Sequence, residues 1–243
     1  MVNVLNKIDK GGRFTKFPGA SVIAFLQNSE LRNSIFNRLN NNAVTKYYSV
    51  LPSSSLHITG SDLFIESGMG NGDWLRFVDS KLSILKRLAA DLNENPLALT
   101  LKVKDYIIDG VLQIRFETDP LEIQQLKAVF EKYNLEYQVP SILHLTLAYE
   151  YRTTILYEEI APIEVLMEQL INDLKNADLT LEPMSLCFFH SMTQFTPWNG
   201  MSNPFRPPSV ISRLLAFLPK IHDSTTTTDD SDLSHDDSNK PSI

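Results

Sequence analysis

Two short stretches, Leu56-His57-Ile58-Thr59 and Leu143-His144-Leu145-Thr146, each set an imidazole and a hydroxyl two residues apart among apolar neighbours. Both read as β-strand. Side chains alternate along a strand, so His57 and Thr59 share one face while Leu56 and Ile58 take the other. His144 and Thr146 stand apart from Leu143 and Leu145 in the same way. A histidine in an apolar strand costs stability unless its ring nitrogens find partners, so two of them ask for a reason. Two such strands meeting at a cleft would line it with two imidazoles and two hydroxyls. That set suits in-line cleavage of a phosphodiester. One ring takes the proton of the attacking hydroxyl or water, and the other protonates the leaving oxygen on the opposite side. Histidine, with an ordinary pKa of about 6.5, can play either part near neutral pH. The hydroxyls can donate to the non-bridging oxygens as charge moves onto them. Which ring is base and which is acid depends on how the substrate lies, and the sequence does not decide it.

Other chemistries fit less well. No third histidine or cysteine stands at ligand spacing, so no metal and no cofactor is expected. A Gly-x-Ser-x-Gly elbow is absent, which argues against a Ser-His-Asp hydrolase. Cys187, the single cysteine, leaves no internal disulfide and reads as a small buried hydrophobe. The stretch Ser-Gly-Met-Gly-Asn-Gly-Asp over 67–73 lacks a following Gly-Lys-[Ser/Thr] and reads as a connection, with Asp73 capping the next helix. His190, at a strand end, reads as a structural histidine.

The elements that must position the motifs alternate along the chain and point to an α+β fold. Strands are expected over Ser21 to Leu26, Tyr47 to Leu51, the two motif stretches, Ala98 to Ile108, Val111 to Glu117 and Met184 to Met192. Asp109-Gly110 joins two of these as a hairpin. Helices are expected from Ser29, as N-cap, to Asn40, over 73–93 with Leu75, Val78, Leu82, Leu85 and Leu88 on one face, from Pro120 to Tyr133, and from Ile163 to Asn176. Units around 21–61 and 111–149 share one order: an apolar strand, a helix, then a motif strand. This duplication predicts a single bilobed domain over residues 1–221, two pseudo-symmetric lobes whose antiparallel sheets line a central cleft with helices outside. Tyr149, five residues past His144, is expected to point away from that cleft into the core.

Composition bounds the partners. The 243 residues are 43% hydrophobic, enough for a sizeable core. The formal charge is −7, but six aspartates and one lysine lie from His222 onward, so the rest of the chain is nearly neutral. That argues against charge-driven binding of long duplex nucleic acid, which needs a basic face. No apolar run suits a membrane span, and the N-terminus has no apolar leader core, so a cytoplasmic monomer with no membrane partner is expected. Residues 222–243 read as a disordered acidic, Ser/Thr-rich tail whose partner the sequence does not name; secretion as an effector through that tail is the alternative.

With its doubled His-x-Thr motif the chain resembles the two-histidine (2H) phosphoesterase superfamily, which includes LigT-like RNA 2',3'-cyclic phosphodiesterases. It is most similar to a poorly characterised branch of unknown function, through the blocks GGRFTKFPGASVIAFL, YYSVLPSSSLHIT, LHLTLAY and FFHSMTQFTP, over roughly residues 8–200. The resemblance implies metal-independent phosphodiester hydrolysis, with His57 and His144 as the catalytic pair and Thr59 and Thr146 on the phosphate. Possible further contacts are Arg13 and Lys16, as positive charge, and Thr193, Gln194, Phe195 and Trp198, the aromatic pair as stacking surfaces for a base. The expected substrate is a small nucleotide or an RNA end, with a 2',3'-cyclic phosphate as scissile group. The alternatives are a nucleotide- or phosphate-binding module without turnover, or the same fold acting on 2',5'-linked oligonucleotides, cyclic dinucleotides or ADP-ribose cyclic phosphate.

Overall fold

The stretch Gly19–Phe25 (β1) is buried along its whole length, because it runs down the middle of an eight-stranded sheet. The computed structural model describes residues 6–69, 72–152 and 155–206, all within one compact unit. After β1 come α1 (Ser29–Leu39), α2 (Asn42–Thr45), β2 (Tyr48–Val50), β3 (His57–Ile65), α3 (Trp74–Glu94), β4 (Lys102–Ile108), β5 (Val111–Glu117), α4 (Pro120–Lys132), β6 (Leu143–Glu150), α5 (Tyr157–Lys175), β7 (Ser185–Ser191) and β8 (Gln194–Pro197). The strand order is β4-β5-β6-β3-β1-β7-β8, with β2 pairing β6. Every pairing is antiparallel. The fold is α+β, as expected, and the sheets anticipated for the two lobes are hydrogen-bonded into one path. They join where β3 meets β6, at the single register pair Ile58–Leu145.

One face of this sheet is apolar. Val22 and Ala24 from β1, Ile58 from β3, Leu112 and Ile114 from β5 and Leu145 from β6 enter one core with Val78, Leu85 and Leu88 of α3, Leu126 and Phe130 of α4 and Met167 and Leu170 of α5. The helices form because their apolar residues recur at three and four positions and so make one buried stripe. Caps fix their starts: Asp73 Oδ1 accepts from Arg76 N at 3.2 Å, and Asp119 Oδ1 from Leu121 N at 2.8 Å with Pro120 opening α4. Asp109-Gly110 turns β4 into β5, with Gly110 at φ 66°, a conformation only glycine adopts without cost.

Three boundaries differ from the sequence reading. Asn28, not Ser29, caps α1, its Oδ1 accepting from Leu31 N at 3.0 Å; asparagine serves as well as serine, and its backbone is extended. Helix α5 starts at Tyr157 and carries Pro162 inside it. So close to the helix start, proline costs one backbone bond and a local bend rather than ending the helix. Strand β4 starts at Lys102, not Ala98, because the Glu122 carboxylate takes the Thr100 N–H and hydroxyl, both at 2.8 Å, in place of a strand partner.

The connection over 67–73 is described except at residues 70 and 71. The boundary expected near residue 221 and the tail over 222–243 lie outside the described residues. Among the described residues no helix is long and apolar enough to cross a membrane.

Candidate functional site

The pair Ile58–Leu145 fixes how the two motifs meet. Both side chains are fully buried and lie on the apolar face, so their neighbours lie on the other. Antiparallel register around that pair sets His57 across from Thr146 and Thr59 across from His144. The two histidines become diagonal neighbours, a relation that separates Cβ atoms by roughly 7 Å. Each strand thus contributes one imidazole and one hydroxyl to a single patch.

Both rings are held by the same contact. His57 Nδ1 lies 2.6 Å from the Ser55 carbonyl, and His144 Nδ1 lies 3.2 Å from the Ile142 carbonyl, again two residues back. A carbonyl only accepts, so each Nδ1 carries the hydrogen and each Nε2 is left for the cleft. A neutral ring then offers Nε2 as a base, and a charged ring offers Nε2–H as an acid.

The neighbouring strands show which other side chains share this face. Along β1, Phe25 pairs His57, Ile23 pairs Thr59 and Ser21 pairs Asp62, with bulges in β3 at Gly60 and Leu63. Ser21 also pairs Cys187 of β7. Ile23, Phe25 and Cys187 form a small apolar cluster of their own, covered by Phe195. The Phe195 ring lies 4.2 Å from the His57 ring, and Phe25 meets His57 edge-on at 6.1 Å. Between these rings burial pushes the His57 pKa down to about 4. The Ser55 carbonyl and the Asp62 charge oppose that shift, and charges on His144 and Lys7 reinforce it. Burial likewise holds the Cys187 thiol up at about 11, which makes it a poor nucleophile and fits a packing role.

On the other flank, Gln113 pairs Thr146 and Arg115 pairs His144. Gln113 Nε2 donates to Thr146 Oγ1 at 3.1 Å, leaving the threonine hydrogen free to donate elsewhere. Arg115 forms a bidentate ion pair with Asp105 on β4. A bulge at Leu147 then inverts the alternation of β6: Leu112 pairs Ala148 and Val111 pairs Tyr149. Tyr149 is buried, as expected, but it shares the face of Gln113 and the histidines, not the core face. A regular strand would have turned it away.

The remaining sequence candidates separate. Phe195 lies in the site. Trp198 packs on Phe188 at 5.7 Å, and Phe188 pairs Ala20, so that ring belongs to the opposite, core face. The Thr193 hydroxyl is bonded to Ser191 Oγ at 2.8 Å in the β7–β8 turn, and Gln194 is exposed at the start of β8. Arg13 is paired with Asp9 at 2.8 Å and Lys16 with Glu66 at 3.2 Å. Their side chains are 87% and 72% exposed, so neither is held against the histidines. His190 meets Phe205 edge-on at 5.0 Å on the surface. Sequence reasoning missed Ser21, Asp62, Gln113, Arg115 and Lys7. The alternation in Val-Leu-Gln-Ile-Arg-Phe-Glu groups Gln113 with Arg115, but only the pairing of β5 with β6 brings them to His144. A groove of about 700 Å³ lies elsewhere, between residues 96–103 and 174–183, with no histidine on its walls.

Residues 7–109 match a family model named 2H-phosphodiest, described as a domain of unknown function (DUF1868). That span contains His57 and Thr59 and ends before His144. No curated protein matches the chain. Among solved structures, a conserved protein of unknown function from Agrobacterium tumefaciens has the same fold at 18% identity and a TM-score of 0.60, over 79% of this chain and 89% of that one.

Proposed function

We propose that this chain, whose residues 7–109 match the 2H-phosphodiest family model, hydrolyses a 2',3'-cyclic phosphate, on a small nucleotide or an RNA end, by two-histidine acid–base catalysis. The observation that carries this reading is the Ile58–Leu145 register, which sets both motifs antiparallel on one face, each ring tied through Nδ1.

His57 is the base. Packed between aromatic rings, it is neutral at working pH, and its Nε2 lone pair takes a proton from water as the oxygen attacks phosphorus. The bond from phosphorus to one ribose oxygen breaks in line, and His144, in its charged form, gives its Nε2 proton to that oxygen. One water is consumed, and the cyclic ester becomes a 2'- or 3'-phosphomonoester on the same nucleotide or RNA end. Proton exchange with solvent returns His57 to neutral and recharges His144. Thr59 and Thr146 donate to the non-bridging oxygens, and the Gln113 bond aims the Thr146 hydroxyl. No step calls on a metal. Stacking on Phe195 supports a nucleobase beside the scissile ester, a contact worth about 1–3 kcal/mol in single-strand binders.

The test is incubation of the full-length protein with the four nucleoside 2',3'-cyclic phosphates, with products resolved as 2'- or 3'-phosphates. Turnover that His57→Ala and His144→Ala both abolish supports the reading. Tight binding of these nucleotides with no product after long incubation would make the cleft a binding module instead.

A further inference from the structure

We propose that Lys7 is the anchor for a second anionic group of the substrate, so that the protein prefers a phosphodiester carrying a further phosphate to one without. This rests on the proposed phosphodiester site and names its substrate class more narrowly.

Lys7 lies in the segment that precedes β1, yet its ammonium is not a free surface charge. Nζ sits 5.0 Å over the Tyr149 ring and 5.4 Å over the Phe17 ring. Among the described residues its one side-chain hydrogen bond is a long one, 3.4 Å to Tyr149 Oη. An ammonium has three donors, and among the described residues no carboxylate lies within ion-pair distance of this one. The acid whose charge it feels, Asp62, accepts from Ser21 Oγ at 2.8 Å. Burial lowers the Lys7 pKa and the Asp62 charge only partly restores it. A half-buried, under-bonded cation is costly unless something compensates it. Aromatic faces return only part of that cost.

Its position says what the missing partner is. Tyr149 follows Thr146 on the site face of β6, by the bulge at Leu147, and Asp62 follows Thr59 on the site face of β3. Lys7 lies over Tyr149, which shares the face of the histidines three residues past Thr146. Its charge reaches His57. The scissile phosphate is accounted for by the histidines and threonines. A lysine one step further is placed for a separate phosphate, to which it acts as a point charge with free donors. Arg13 and Lys16, the basic residues the sequence suggests, are already neutralised by Asp9 and Glu66.

The test is calorimetric titration of the full-length protein with adenosine 3'-monophosphate and adenosine 3',5'-bisphosphate, for wild type and Lys7→Met, which keeps the aliphatic stem. The expected result is a bisphosphate bound about tenfold more tightly by the wild type, with the preference gone in Lys7→Met. Equal affinity of the wild type for both ligands overturns the proposal without reference to any variant. So does an equal loss for both in Lys7→Met, or in Lys7→Gln should the methionine variant melt early, and so does binding of neither ligand. Turnover is measured separately: a Lys7-dependent preference with no hydrolysis of any cyclic phosphate would remove the catalytic reading and leave this anion site standing.

Discussion

His57 and His144 are oriented by the same local device, a bond from Nδ1 to the carbonyl two residues earlier in the chain, at 2.6 Å to Ser55 and 3.2 Å to Ile142. Neither ring depends on a distant partner for its tautomer. The strand that carries the ring also holds it, so the duplication of the motif duplicates its orientation. Replacing either histidine with alanine is expected to cut kcat by a factor of roughly 100 to 10,000. Single-turnover rates on a cyclic nucleotide check this, and near-wild-type turnover in either variant removes that residue from the mechanism.

Assigning His57 as the base fixes the acid side of the pH profile. Its pKa of about 4 means it keeps its lone pair well below the ordinary histidine value of about 6.5. The acid limb of kcat/KM, which reports the free enzyme, should therefore fall near pH 4. A limb near 6.5 that disappears in His57→Asn would put the ring in a wetter setting, and one that persists in that variant's residual activity would place the base elsewhere.

The same shift acts on stability. Between pH 6.5 and 4 the unfolded chain binds a proton at residue 57 and the folded chain does not, so acid favours unfolding in that window. Above 6.5 both states are neutral there and the contribution is constant. Wild type should lose up to roughly 3 kcal/mol from this group as pH falls through the window. Carboxylates titrate near the lower end too, so the readout is the difference between wild type and His57→Asn in urea midpoints at pH 7 and pH 4.5. Parallel losses in the two proteins would contradict the burial of the ring.

Much of this was legible in the sequence because it depends on period alone. The alternation around His57 and His144 predicts both faces of both motif strands, and the three-and-four spacing of Val78, Leu85 and Leu88 predicts α3 and its buried stripe. What the sequence hid depends on register. Tyr149 changes face because Leu147 is bulged out of the pairing with β5, and no local pattern marks that bulge. Asp62 reaches the site face through another bulge, at Gly60. Lys7 lies in Asn-Lys-Ile-Asp-Lys, which reads as solvated surface, and only the tertiary approach of Tyr149 and Phe17 distinguishes it from Lys10. Conversely, Arg13 and Lys16 look suitable by charge, but acids placed nearby by the fold engage them.

Gln113 offers a test of positioning as distinct from catalysis. Its amide donates to Thr146 Oγ1 and touches neither histidine. Gln113→Leu removes a bond worth about 1 kcal/mol, so kcat should fall about fivefold with the pH profile unmoved. A shifted profile would mean that Gln113 acts on the titrating rings, and an unchanged kcat would mean that the Thr146 hydroxyl needs no aiming.

Gly19 tests whether the site is held by the close packing of the middle strands. It pairs Ile65 on one side and Phe189 on the other. A Cβ added there would lie 2.5 Å from Phe189 Cζ and 2.7 Å from the Phe64 carbonyl oxygen. The phenyl ring has no room to swing aside, because it is buried, stacked on Phe17 at 6.3 Å and packed on Phe195 at 4.9 Å. The carbonyl belongs to the paired strand and cannot move without breaking register. Gly19→Ala should therefore cost about 1–3 kcal/mol, the usual range for overpacking a filled core, seen as a lowered urea midpoint. Because Phe195 also covers His57, displacement of Phe189 should carry into the site and lower turnover more than the lost stability explains at a temperature where the variant is folded. A variant of wild-type stability would show that the strands around β1 have slack, and a destabilised variant of full activity would show that Phe189 does not support Phe195.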